Sequence, residues 1–221
     1  MKVIVIGASR GIGLELVRQY RADGVDVTGS ARSEEGLARI RALGASAITL
    51  DVADAASAAG LGWQIEGQRF DVAIVNAGVA GARVAALDPP TEDNFDLVMH
   101  TNVLGPMRVI PQLAEALAPG AKLGVLSSRM GSIGSRTSAS SWLYRASKAA
   151  LNSVLKDAAL TLGDKAVCVA LHPGWVRTDM GGAGADIDVE TSVAGMRRVI
   201  AALEAGVRGE YRNYDGAEIP W

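Results

Sequence analysis

Cysteine is nearly absent from this chain. Cys168 stands alone, so no intrachain disulfide can staple the fold. It sits in the apolar run Val167, Cys168, Val169, Ala170, Leu171, where a lone thiol reads as buried filler. Histidine is almost as scarce: His100 and His172 have no second His or Cys at ligand spacing, and no metal site is expected. Neither sign of charge dominates. The 22 basic and 24 acidic side chains leave a net charge of −2, without the basic excess that nucleic-acid binding requires. No run of about 18 uncharged apolar residues occurs, so no membrane helix is expected. After Met1 and Lys2 the chain passes directly into Val3, Ile4, Val5, Ile6 and then Gly7. That run is too short for a signal-peptide core and has no small-residue cleavage site after it, so the expected location is the cytoplasm.

What is plentiful is apolar side chain. A hydrophobic fraction of 49% excludes a mainly disordered chain, and 221 residues are enough for one substantial core but not for two large domains. A single unit over residues 1–221 is expected. Short β-branched runs at 2–6, 25–29, 45–50, 71–75, 122–127, 166–171 and 210–214 alternate with helical patterns at 12–22, 34–43, 91–118, 144–162 and 189–205. Most of the strands are apolar throughout, as a strand covered on both sides must be. The pattern predicts an α/β, Rossmann-type doubly wound, mainly parallel seven-stranded sheet with helices on both faces. Two loops break the rhythm, the Ser/Gly-rich 131–141 and the glycine-rich 181–187. Both follow the C-terminal ends of predicted strands, where open α/β sheets bind ligands, although each could be an ordinary surface loop.

The first strand runs into Gly7, Ala8, Ser9, Arg10, Gly11, Ile12 and Gly13 and then a helix. A phosphate-binding turn needs backbone that a ligand can approach and an exposed helix N-terminus. Gly7 suits the tight turn, Gly11 the close approach of a pyrophosphate, and Gly13 the contact of helix and sheet. The second strand ends Thr28, Gly29, Ser30, Ala31, Arg32 with no acid at the position that would hold an adenosine ribose; Asp26 lies too early. Arg32 and Arg10, with Ser30 as a possible donor, are placed to meet a 2′-phosphate, which points to NADP(H); the alternative is that both arginines face solvent. Further on, Ser127 and Ser128 close a strand, and Tyr144 and Lys148 are four apart on one helical face. An ammonium beside a phenol lowers the phenol pKa, and such a Tyr can pass a proton to a forming alkoxide. Spacing alone does not distinguish that pair from a helix-face Tyr beside a solvent Lys.

Taken together these residues resemble the classical short-chain dehydrogenase/reductase family over essentially the whole chain. Gly7, Gly11 and Gly13 resemble its cofactor turn, Asp51 and Val52 its adenine contact, and Asn76, Ala77, Gly78 its Asn-Ala-Gly segment. Asn102, Ser128, Tyr144 and Lys148 match its catalytic tetrad. Pro173, Gly174, Trp175, Val176, Arg177 and Thr178 resemble the segment capping the nicotinamide, with the Val176 backbone and Thr178 hydroxyl near the carboxamide.

The resemblance implies hydride transfer to a ketone or aldehyde carbonyl, Tyr144 as acid, Ser128 on the carbonyl oxygen, Lys148 on the nicotinamide ribose, and Asn102 holding a relay water. With arginines at the 2′-phosphate site, it points to reduction. The Ser-to-Tyr separation exceeds the family's usual one, and an alignment keeping that spacing puts Gly131 or Ser132 at the catalytic position. Ser128 is preferred because it ends the strand, and Ser127 is expected to point to the sheet.

Within the family, the longer loop, Glu190 to Val193 and the terminal Gly216 to Trp221 resemble the C-factor-like branch of small NADP-linked reductases and a developmental signalling protein. Trp142, Leu143, Trp175 and Met180 are candidate substrate-pocket walls, and equally candidate core or subunit contacts. The helices at 91–118 and 144–162 imply a homodimer or homotetramer. The contrasting reading is a dinucleotide-binding signalling protein with little turnover.

Overall fold

The computed structural model describes residues 1–82 and 87–221. Seven strands, β1 (Lys2–Ile6), β2 (Asp26–Ala31), β3 (Ser46–Thr49), β4 (Phe70–Val75), β5 (Leu117–Leu126), β6 (Ala166–His172) and β7 (Glu210–Asn213), form one sheet in the order β3-β2-β1-β4-β5-β6-β7. Every pairing is parallel. The seven-stranded doubly wound expectation holds, and the sheet is wholly rather than mainly parallel. Chain order runs outward from β1 on one side and from β4 on the other, so these two neighbours flank the switch point. Val3 is paired to Val27 on one side and to Val72 on the other.

Alternation along each strand divides the core in two. Val3 and Val5 face a cluster with Leu16 and Val17 of α1 (Gly11–Ala22), Ile40 of α2 (Glu34–Ala42) and Met196 of α8 (Val189–Ala202). Ile4 and Ile6 face the opposite cluster, with Leu113 of α6 (Gly105–Glu115) and Leu151 and Leu155 of α7 (Trp142–Leu162). The short helices α3 (Ala55–Ala59) and α4 (Leu61–Gln64) left too few periods to be seen in the sequence.

The helix expected over 91–118 is in fact three pieces: α5 (Glu92–Met99), a π-helical turn His100–Leu104, and α6. Pro106 supplies the physical reason. It has no N–H to return to the Asn102 carbonyl four residues back, so the regular ladder cannot run through this point. Gly105 allows the widened turn to press on β3's exit, since a methyl there would sit 2.9 Å from Val52 Cγ2. β5 begins at Leu117, before the expected 122, across a register irregularity between Phe70 and Val72.

Candidate active site

All seven parallel strands end at one edge, and the sequence-selected residues gather there. Gly7 adopts a φ of 86°, and a methyl on it would lie 2.8 Å from the Ala77 backbone, so only glycine fits. A methyl on Gly13 would meet the Gly7 carbonyl oxygen at 2.1 Å. Asn76 Nδ2 donates to that same carbonyl at 2.5 Å, which ties the β4 exit to the turn. Ser30 is buried beneath it, its hydroxyl accepting the Gly7 N–H at 2.9 Å.

Above this frame Arg10 precedes α1 without capping it, and the first turn of α1 holds no acid, whereas Ser33 caps α2 and Asp188 caps α8. First-turn N–H groups without a side-chain acceptor, opened by Gly11 at φ 51°, suit a pyrophosphate. Ser9 and Ile12 flank this opening, both partly exposed.

At the end of β2, Arg32 Nη1 stands 3.6 Å from Asp51 Oδ2, while Arg10 pairs with Asp179. Both arginine side chains are 67% exposed, so these pairs are screened and exchangeable for a phosphate. Asp26 sits at the opposite end of β2, exposed. Asp51 Oδ1 accepts the Ala53 N–H at 3.0 Å, and Val52 beside it is buried.

The candidate reacting groups come from three elements. Ser128 follows β5 in extended conformation, its hydroxyl accepts the Met130 N–H at 3.2 Å, and it neighbours the Tyr144 phenol on α7, whose pKa it tends to lower. One turn on, Lys148 is only 4% exposed, with Nζ donating to the Leu126 carbonyl at 2.8 Å and lying 5.7 Å from the Tyr144 ring centre. A methyl on Gly78 would approach both Asn102 Oδ1, at 3.3 Å, and Lys148 Nζ, at 3.4 Å, so these three residues converge. Asn102 exchanges two hydrogen bonds with the Val79 backbone, each 2.8 Å, and donates to Ser147 Oγ at 3.0 Å. Its side chain is thereby fixed, and Pro106 leaves its carbonyl without the regular helical donor.

Two expectations are corrected. Burial pushes the Tyr144 phenol up to about 12, against the opposing Ser128 hydrogen bond, and Lys148 does not bring it down because its Nζ is directed to a backbone carbonyl. Burial in turn pulls Lys148 down to about 8. Ser127 does not turn to the sheet; its hydroxyl donates to Asn152 Oδ1 on α7 at 2.6 Å. Ser132, the rival of Ser128, is fully buried and spends its hydroxyl on the Pro220 carbonyl and the Ser135 N–H.

The capping segment closes the edge from β6. Ser192 Oγ holds the Pro173 carbonyl at 2.6 Å, and Gly174 turns at φ 85°. Trp175 and Arg177 make the backbone bonds to Ile187, which directs the Val176 N–H and C=O to the other side of the strand-like segment. Thr178 lies against the glycine turn, its Cγ2 3.4 Å from a methyl built on Gly11. The proposed walls Trp142, Trp175 and Met180 are all substantially exposed, and Trp175 Nε1 donates to the Gly181 carbonyl.

Sequence reasoning missed Ser147, Asn152 and Tyr211, and the packing role of Gly131. Asn152 was available as the next turn of the Tyr144–Lys148 face. Gly131 lets the Ser128 loop touch α7, where a methyl would meet the Lys148 backbone at 2.8 Å. Tyr211, whose hydroxyl donates to the Ser128 carbonyl from 83 residues away, left no short-range signal.

Comparison with known proteins agrees with this geometry. The family described as short chain dehydrogenase matches residues 1–186. The C-signal protein of Myxococcus xanthus is 41% identical over 154 residues, covering 68% of this chain and 92% of the relative. A short-chain dehydrogenase/reductase from Burkholderia multivorans with bound NADP superposes with a TM-score of 0.93 at 32% identity, over 100% of this chain and 99% of the other. A carbonyl reductase from Pseudomonas aeruginosa PAO1 in complex with NADP does so with a TM-score of 0.85 at 34% identity, over the same shares. Motif, fold and relatives agree, and the chain belongs to the short chain dehydrogenase family.

Proposed function

We propose that this chain is an NADP(H)-dependent oxidoreductase that reduces a ketone or aldehyde carbonyl to an alcohol. The observation that carries the reading is the convergence at the sheet edge of Tyr144, buried Lys148 5.7 Å from its ring, and Asn102, with Ser128 beside them at the end of β5. The cofactor choice is supported by Arg32 and Arg10 beside a β2 end that lacks an acid, and by the NADP complexes of the Burkholderia and Pseudomonas relatives.

Bound at the glycine turn, the nicotinamide cofactor supplies hydride to the carbonyl carbon. The remaining work falls to the chain. Tyr144 gives its proton to the carbonyl oxygen, and a phenol held protonated at neutral pH suits the reductive direction. Ser128 donates to the same oxygen and stabilises the charge growing there. Lys148 holds the nicotinamide-ribose hydroxyls, and the Asn102 carbonyl freed by Pro106 holds a water that feeds protons inward. Pro173, Gly174, the Val176 backbone and Thr178 line the nicotinamide side, with Trp142, Trp175 and Met180 toward the substrate.

We assign the chain to the C-factor-like branch, on the strength of its likeness to the C-signal protein. That likeness also favours the second reading, a dinucleotide-binding signalling protein with little turnover. Half-exposed Phe95, Leu97, Met107 and Leu160 on α5, α6 and α7 support a homodimer or homotetramer, which light scattering checks. Among the described residues no helix is long and apolar enough to cross a membrane, and a cytoplasmic location is the proposal.

The deciding experiment measures NADPH and NADH oxidation against a panel of aldehydes, ketones and diketones, with Tyr144→Phe in parallel. Turnover with NADPH that disappears in the variant while cofactor binding survives supports the reductase. Tight NADPH binding without turnover on any carbonyl favours the signalling reading. Equal activity in the variant removes Tyr144 as the acid.

A further inference from the structure

The segment that follows β6 reaches back to the loop carrying Ser128. Tyr211 on β7 is 1% exposed, and its hydroxyl donates to the Ser128 carbonyl. The same carbonyl accepts the Gly131 N–H at 2.7 Å, so both of its lone pairs are engaged. Beyond β7 the chain returns over this contact. The Ile219 N–H donates to the Tyr211 carbonyl at 2.8 Å, and the Trp221 ring packs 5.3 Å from the Tyr211 ring at an interplanar angle of 33°. Ser132 donates to the Pro220 carbonyl, and the Ile133 N–H donates to the Trp221 main-chain oxygen at 2.9 Å. Beside the Tyr211 hydroxyl, Ser127 donates to Asn152 Oδ1 at 2.6 Å.

We propose that Tyr211 is a positioning residue that fixes the Ser128 hydroxyl by clamping the Ser128 peptide, with the 219–221 segment as its cover; this rests on the reading of Ser128 as the group that polarises the substrate carbonyl. Ser128 is the last extended residue, with φ −156° and ψ 141°, before the tight turn Arg129–Gly131. Its hydroxyl direction follows from its backbone frame, and that frame is held only as firmly as the peptide that follows it. The Gly131 N–H holds that peptide from within the turn; Tyr211 holds it from the sheet. A serine displaced by a fraction of an ångström still binds cofactor, but it meets the developing oxyanion poorly.

The test is Tyr211→Phe, which deletes one hydroxyl, made both in the wild-type background and in Ser128→Ala. NADPH turnover and NADPH affinity are measured for all four proteins. The expected result is a fall in kcat of about 10-fold in the wild-type background, with KM for NADPH unchanged, and no further fall when Ser128 is already Ala. Full kcat in Tyr211→Phe, or the same loss in both backgrounds, overturns the positioning role while leaving the reductase standing. A Ser128→Ala protein with full turnover removes the catalytic reading of Ser128 and this inference with it. If Tyr211→Phe lacks a cooperative melting transition, Trp221→Ala, which strips the cover and leaves the hydroxyl, takes its place: a kcat loss confined to proteins with Ser128 supports the clamp, and its absence rejects it.

Discussion

Lys148 Nζ lies 5.7 Å from the centre of the Tyr144 ring and 2.8 Å from the Leu126 carbonyl, and burial moves the two groups in opposite directions, the amine to about 8 and the phenol to about 12. Between about 8 and the ordinary lysine value of 10.5 the unfolded chain binds more protons at this group, so stability rises with pH through that window. Below it the cost of burying the ammonium is fully present. Lys148→Met should therefore raise the melting midpoint at pH 7 by about 2–4 °C, flatten the slope between pH 8 and 10.5, and abolish most turnover. Tyr144 acts the other way: its contribution to stability is complete below pH 10 and is lost as pH climbs toward 12, and Tyr144→Phe removes that decline. Melting curves of the three proteins across the range check both signs.

Ser128 and Ser132 should separate cleanly. Ser132→Ala leaves the Pro220 carbonyl and the Ser135 N–H unpaired in a buried place, at a cost of about 1–3 kcal/mol, yet kcat of the folded enzyme stays near wild type. Ser128→Ala melts almost normally and loses about 10²–10³-fold in kcat. Denaturant titration beside steady-state kinetics tells the two apart, and the reverse pattern would hand the catalytic role to Ser132.

Arg32→Ala should weaken NADPH binding by about 10- to 100-fold, the value of a charge-assisted contact to phosphate. NADH affinity should scarcely change, because the lost guanidinium has no phosphate to meet there. Fluorescence titration of both nucleotides measures the ratio, and an unaltered ratio would leave Arg32 as only the partner of Asp51.

Gly13→Ala should abolish soluble folded protein or cofactor binding, since the new methyl would fall 2.1 Å from the Gly7 carbonyl oxygen and 2.6 Å from Asn76 Nδ2. Gly60→Ala is the control: its φ is −79° and the nearest atom lies 3.5 Å away, so thermal stability should stay the same or rise slightly. Circular dichroism melts of the two variants decide it.

The glycine turn and the Tyr144–Lys148 pair could be read from the sequence because their information is local: spacing sets the turn, and four residues of helix set a shared face. What lay beyond reach was decided across interfaces. The Leu126 carbonyl, on another element, directs Lys148 Nζ away from the phenol. Asn152 on α7 turns Ser127 from the sheet. Pro106 breaks the helix at Asn102 through one missing N–H, which leaves the apolar periodicity over 91–118 undisturbed. The exposure of Trp142, Trp175 and Met180 depends on how three loops settle, and no periodicity encodes it.

The bond between Tyr211 and Ser128 spans 83 residues, whereas the frame of the phosphate turn is finished once Asn76 reaches Gly7. On the ribosome these two events are far apart in time. β1 to β4 and both partners of the Asn76–Gly7 bond are synthesised well before β7. The frame of the glycine turn is thus drawn from the first third of the chain, whereas the contact that holds the Ser128 peptide waits for the last strand.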